Sequence, residues 1–141
     1  MHSSDLDKLA MFNEQIEAEL SRQKASFVNF VDISSLPREK TRGFPIAILI
    51  GISLTKEFVL KVTNTPDYVE RMILSKDFSS DEFLQKEHKA DSLADFTANF
   101  LIQKGHSAIS QSESANLKAG VFNEKNKTSL LPHKTIGTMA G

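Results

Sequence analysis

Residues 44–54, Phe-Pro-Ile-Ala-Ile-Leu-Ile-Gly-Ile-Ser-Leu, are the stretch that most constrains what this chain can fold into. Nowhere else do Ile, Leu and Ala follow one another so closely without a charge. An apolar run of this length, preceded by Gly43 and rich in Ile, predicts a strand buried on both faces rather than one with a wet side. The rest of the chain then has to supply its cover, and the strand itself needs no chemistry of its own.

A chain of 141 residues suits one domain, residues 1–141, with a single core. Its 17 basic and 18 acidic side chains leave a net charge of -1, so no global field draws it to nucleic acid or to an anionic membrane. A surface so near neutrality also permits a homo-oligomer. Cysteine is absent, which excludes disulfides and thiolate-held iron–sulfur or zinc sites within these residues. Any metal here would need His or carboxylate ligands. The N-terminus, Met-His-Ser-Ser-Asp-Leu-Asp-Lys, has no apolar signal core, and no apolar run nears the roughly 20 residues that span a bilayer. A soluble cytoplasmic protein is expected, in which the Asn126-Lys127-Thr128 sequon is without consequence.

Residues 5–25 repeat Leu6, Leu9, Phe12 or Asn13, Ile16 and Leu20 at helical spacing, with Ser4 as N-cap, acids in the first turn and Arg22 and Lys24 near the end. Residues 27–33, Phe-Val-Asn-Phe-Val-Asp-Ile, predict a strand beside the central one, closed by Ser34, Ser35 and Pro37. The basic linker 37–43 reads as a solvated loop. Thr55 caps a short helical turn, and Thr65-Pro66-Asp67 predicts a helix over 66–76 with Pro at its first position. Ser79 and Glu82 have capping-box spacing ahead of a helix over 80–104, whose stripe runs through Phe83, Ala90, Leu93, Ala94, Thr97, Phe100 and Leu101, with Gly105 as its C-cap. His88 on that helix is a surface residue, lacking a second His at i+4. Residues 106–110 predict a third strand, and the polar region 111–127 predicts a long loop. The expected fold class is α/β: a mixed sheet of about three or more strands covered by helices.

The final segment, Leu131-Pro132-His133-Lys134-Thr135-Ile136-Gly137-Thr138-Met139-Ala140-Gly141, resembles a segment of iron–sulfur proteins related to epoxyqueuosine reductase. There it runs on into a Gly-Leu-Gly-Trp-Ile-Gly-Lys-like motif. Residues 30–37 and 43–54 resemble the N-terminal portion of the same proteins, in the same order. The resemblance implies an N-terminal α/β portion of a longer reductase, with a C-terminal ferredoxin-like domain as its missing partner. It also implies two 4Fe–4S clusters and a cobalamin in the full-length protein, none of the clusters resting on these residues. The abrupt end at Met139-Ala140-Gly141 agrees with a chain cut within such a protein. One departure separates the sequence from epoxyqueuosine reductases proper, which resemble Asp-Thr-Gly-Pro-Val-Leu-Glu-Arg in this region. Lys127 stands at the acid and His133-Lys134 at the Glu-Arg pair, so a sister group with a Pro-His-Lys segment is implied.

His133 and Lys134 are therefore the candidate catalytic residues. Imidazole serves as acid, base or ligand near neutral pH, and an ammonium meets phosphate or carboxylate as a point charge. The bland alternative makes Pro132 the start of a helix whose exposed first turn carries both. No nucleophile triad, phosphate loop or dinucleotide fingerprint is present. Two functions remain open: the N-terminal domain of a reductase with a small-molecule or corrinoid ligand, inactive alone, or a self-contained binding or oligomerisation module.

Overall fold

The computed structural model describes residues 3–75, 81–119, 122, 123, 128, 129, 131 and 133–141. Helix α1 spans Ser3–Arg22, strand β1 Phe27–Asp32, the single turn α2 Arg38–Thr41 and strand β2 Ile46–Gly51. Helices α3 (Lys56–Asn64), α4 (Tyr68–Ser75), α5 (Glu82–Gln103) and α6 (Glu113–Ala119) follow. The chain closes with the two-residue strands β3 (Phe122–Asn123) and β4 (Thr128–Ser129) and helix α7 (His133–Ala140).

The apolar run 44–54 does form a strand, β2, over its Ile46–Gly51 part, but as one of a pair rather than at the centre of a sheet: it runs antiparallel to β1 so that Val28 faces Ile50, Phe30 faces Ile48 and Val31 faces Ala47. Alternation along a strand sends successive side chains to opposite faces. One set, Val28, Phe30, Ile48 and Ile50, packs on Ile16 and Leu20 of α1 and Leu93 of α5. The other, Val31, Ala47 and Leu49, packs with Ile33 on Leu131 and on Ile136 of α7. Both faces of the hairpin are thus covered, as the uninterrupted apolar run requires. Yet Ile46 is 49% exposed and the rest of β2 only half-buried, because its lateral edge away from β1 is open.

The sheet is smaller than the sequence suggests. Among the described residues it has two strands, and β3 pairs only with β4 in a separate two-stranded ribbon. Residues 106–110 form no strand and join no ladder among the described residues, for a reason visible at both ends of the segment. His106 stacks on Phe12 at a ring-centroid distance of 4.8 Å, and Ser110 donates to Asp95 Oδ1 of α5 at 2.6 Å. These anchors tie the segment to α1 and α5 rather than to β2. The loop expected over 111–127 contains α6, with Ser112 as its cap: the Ser112 hydroxyl accepts from the Ala115 N–H at 3.2 Å.

Helix ends follow local rules with one exception, at Pro66. Gly105 takes a φ of +89° after α5, with His106 N–H donating to the Leu101 carbonyl and Gly105 N–H to that of Ile102, a Schellman closure. Asp81 caps the start of α5 by accepting from Leu84 N–H at 2.9 Å; Ser79, expected in that role, lies outside the described residues. Pro66 does not open a helix. Asp67 adopts a φ of +56°, which is left-handed, so α4 starts at Tyr68. Glu82 accepts from both the backbone N–H and the hydroxyl of Thr55 at 2.7 Å each, joining the starts of α3 and α5.

Leu20 and Ile136 are 1% and 3% exposed, one in each core layer. Truncating either to alanine is expected to cost about 2–5 kcal/mol in urea unfolding monitored by circular dichroism. A loss below about 1 kcal/mol for Ile136→Ala would show that α7 is not docked on the sheet.

Candidate functional site

A cavity of about 740 Å³ lies between β2, α5, the extended segment 107–111 and the start of α7. One part of its lining is apolar: Ile48 and Ile50 of β2 and Ala94 and Ala98 of α5. Asp91, Gln111, Glu113 and His133 supply polar groups, and Lys40 and Arg42 from the basic linker also line it. Arg38, Lys40 and Arg42 are exposed, as in a solvated segment, but the linker is not a plain loop: residues 38–41 form the turn α2, with Thr41 buried.

Asp95 builds the polar part. Its Oδ1 accepts from the hydroxyls of Ser110 at 2.6 Å and Ser112 at 2.7 Å, and Ser112 N–H donates to the Ser110 hydroxyl at 3.2 Å. Ser112 is 1% exposed and makes the tightest joint of the loop. This turn points the Gln111 carbonyl at two donors, Asn116 Nδ2 at 3.2 Å and His133 Nε2 at 3.0 Å. A carbonyl only accepts, so Nε2 carries the proton and Nδ1 of a neutral His133 is left as an acceptor. His133 is the first residue of α7 and its ring is solvent-accessible, a geometry compatible with acid–base work. The backbone of Lys134 belongs to α7; its side chain lies outside the described residues.

Asp91 stands one helical turn before Asp95 on the same face of α5. Partial burial raises its carboxyl above the ordinary aspartate range, and the charges of Glu113 and Asp95 raise it further. The Glu113 N–H and the His133 charge oppose that shift. His133 and Asp91 are therefore electrostatically coupled across the cavity. Sequence reasoning found His133 and missed Asp91, Asp95 and Gln111. The i, i+4 spacing of the two aspartates was visible, but their partners, Ser110 and Ser112 for Asp95 and the Glu113 N–H for Asp91, lie 15 to 22 residues away. His88 is exposed on α5, as expected of a surface histidine. No group of three His, Cys, Asp or Glu side chains that could hold a metal ion occurs among the described residues.

No protein-family model matches the chain, and neither a curated protein nor a solved structure does.

Two outcomes follow from this geometry. Asp95→Ala removes the acceptor that Ser110 and Ser112 share and leaves a buried hydroxyl to find a new partner; a loss of about 1–3 kcal/mol is expected, with faster amide exchange at 110–112. The folded state keeps a proton on Asp91 at pH values where the unfolded chain has released it, so stability falls as pH rises through that window. Asp91→Asn should flatten this decline in pH-dependent urea midpoints. An unchanged slope would show that Asp91 is as solvated as in the unfolded chain.

Proposed function

We propose that this chain is the N-terminal α/β portion of a cytoplasmic iron–sulfur reductase related to epoxyqueuosine reductase, of the sister group with a Pro-His-Lys segment. One observation carries the reading. The segments that resemble that family, 30–54 and 131–141, lie far apart in sequence, yet Val31, Ile33, Ala47 and Leu49 from the first form one core layer with Leu131 and Ile136 from the second. Segments that fold as one unit are expected to be kept together, which supports reading them as one inherited element. In this account His133, oriented through Nε2 by the Gln111 carbonyl, holds or passes a proton at Nδ1. Lys134 meets an anionic group of the substrate.

The residues present do not fit the implied cofactors as ligands. No cysteine can hold a cluster, and His133 already engages the backbone through Nε2 rather than facing a cobalt ion. The 4Fe–4S clusters, and any corrinoid, would then be held by a ferredoxin-like partner domain or by a surface formed with it. A sheet of three or more strands would likewise be completed by that partner. The chain alone is not a competent catalyst on this reading.

A second reading, an oligomerisation module, is favoured by Leu60 of α3 and Val69, Ile73 and Leu74 of α4, which are 51% to 80% exposed on two helices without a buried residue.

Expression of the gene through its natural stop codon, purified without oxygen, separates the two. The redox reading expects a longer product with cysteine-ligated clusters visible by absorption, and loss of turnover in His133→Ala with the clusters retained. A product that ends at Gly141 and sediments as a closed oligomer would overturn it in favour of the module.

A further inference from the structure

The Gln111 carbonyl serves two donors at once, Asn116 Nδ2 at 3.2 Å and His133 Nε2 at 3.0 Å. A carbonyl oxygen has two lone pairs, so these contacts use its full capacity. In burial the two donors are opposites. His133 is exposed, whereas Asn116 is 6% exposed and stands in the middle of α6. Asparagine is a poor helix former, and a buried amide costs free energy unless it is hydrogen-bonded. An apolar side chain would suit that position better on both counts. What asparagine adds there is a donor to the Gln111 carbonyl.

The backbone sets its reach. Ser112 caps α6, and the Asn116 N–H donates to the Ser112 carbonyl at 2.9 Å, so the amide is carried on the turn that directly follows Gln111. Asp95 holds the same turn from α5 through the hydroxyls of Ser110 and Ser112. Gln111 is thus gripped on both sides. A rotation of its carbonyl would leave the buried Asn116 amide without its acceptor, a loss that opposes the rotation.

We propose that Asn116 is a positioning residue for His133. By taking one lone pair of the Gln111 carbonyl it fixes the direction of the other, and a neutral His133 is then held with its proton on Nε2 and its free lone pair on Nδ1. The functional meaning of this lock rests on the acid–base role proposed for His133, but the tautomer itself is a property of the 141-residue chain. A purely structural Asn116, one that only fastens α6 to the preceding loop, would affect stability and leave the tautomer alone.

Nitrogen NMR of the 141-residue chain, with its four histidines labelled in the ring, separates these cases. Spectra are taken at about pH 8.5, two units above the ordinary histidine pKa of about 6.5. Protonated and unprotonated ring nitrogens resonate far apart when one tautomer is held, and draw together when two interconvert. His88, exposed on α5, is the internal reference for an unheld ring. In the wild type the separation at His133 should exceed that at His88. Asn116→Asp has nearly the same shape but no donor when ionised, and the His133 separation should fall to the His88 value. Asn116→Leu, which removes the donor without adding a charge, should do the same. A His133 separation unchanged in either folded variant would overturn the proposal. So would a wild-type separation no larger than that of His88, a result that needs no variant to fold. The reductase reading fails separately, through absence of clusters in the longer gene product, and that outcome leaves the tautomer measurement intact.

Discussion

The β1–β2 ladder is the constraint on which the rest of the molecule depends. Its register sends Val28, Phe30, Ile48 and Ile50 one way and Val31, Ala47 and Leu49 the other. A slip by a single residue would exchange the two sets and place each against the wrong helices. Helices α1 and α5 are bound to one face and α7 to the other, so the positions of Asp91, Asp95 and His133 all follow from the hairpin. An isolated two-stranded hairpin is marginal in water, and here the two helical layers supply the missing stabilisation.

The polar cluster is held by a different kind of interaction. Asp95 gathers Ser110 and Ser112, and their turn presents the Gln111 carbonyl to His133. A single carboxylate thereby shapes the turn that orients the candidate acid–base group. His133 would be an ordinary exposed residue at a helix start without that carbonyl.

How much of this the sequence discloses depends on whether the determinant is local. The run 44–54 announces strand β2 because its composition admits little else, and Gly105 marks the end of α5 because a left-handed residue is needed there. Helix α6 was legible in principle from Ser112 followed by Glu113, a cap and an acid in the first turn, but the asparagines around it read as turn chemistry. Pro66 failed as a helix start because Asp67 adopts a left-handed conformation that no spacing rule reveals. The strand expected over 106–110 failed for a nonlocal reason: its anchors, Phe12 and Asp95, lie on other elements. That residues 31–49 and 131–136 share one core layer is a contact between segments far apart in the chain, which only the folded structure shows.

The central claim is that β2 is paired on one edge, covered on both faces and open on the other edge. Scalar couplings across hydrogen bonds, measured between amide nitrogens and carbonyl carbons, report this directly. Couplings linking Asn29 with Leu49 and Val31 with Ala47, and none from Ile48, are the expected pattern. A coupling from Ile48 to any carbonyl in 106–111 would contradict the account, because the third strand would then already be in place.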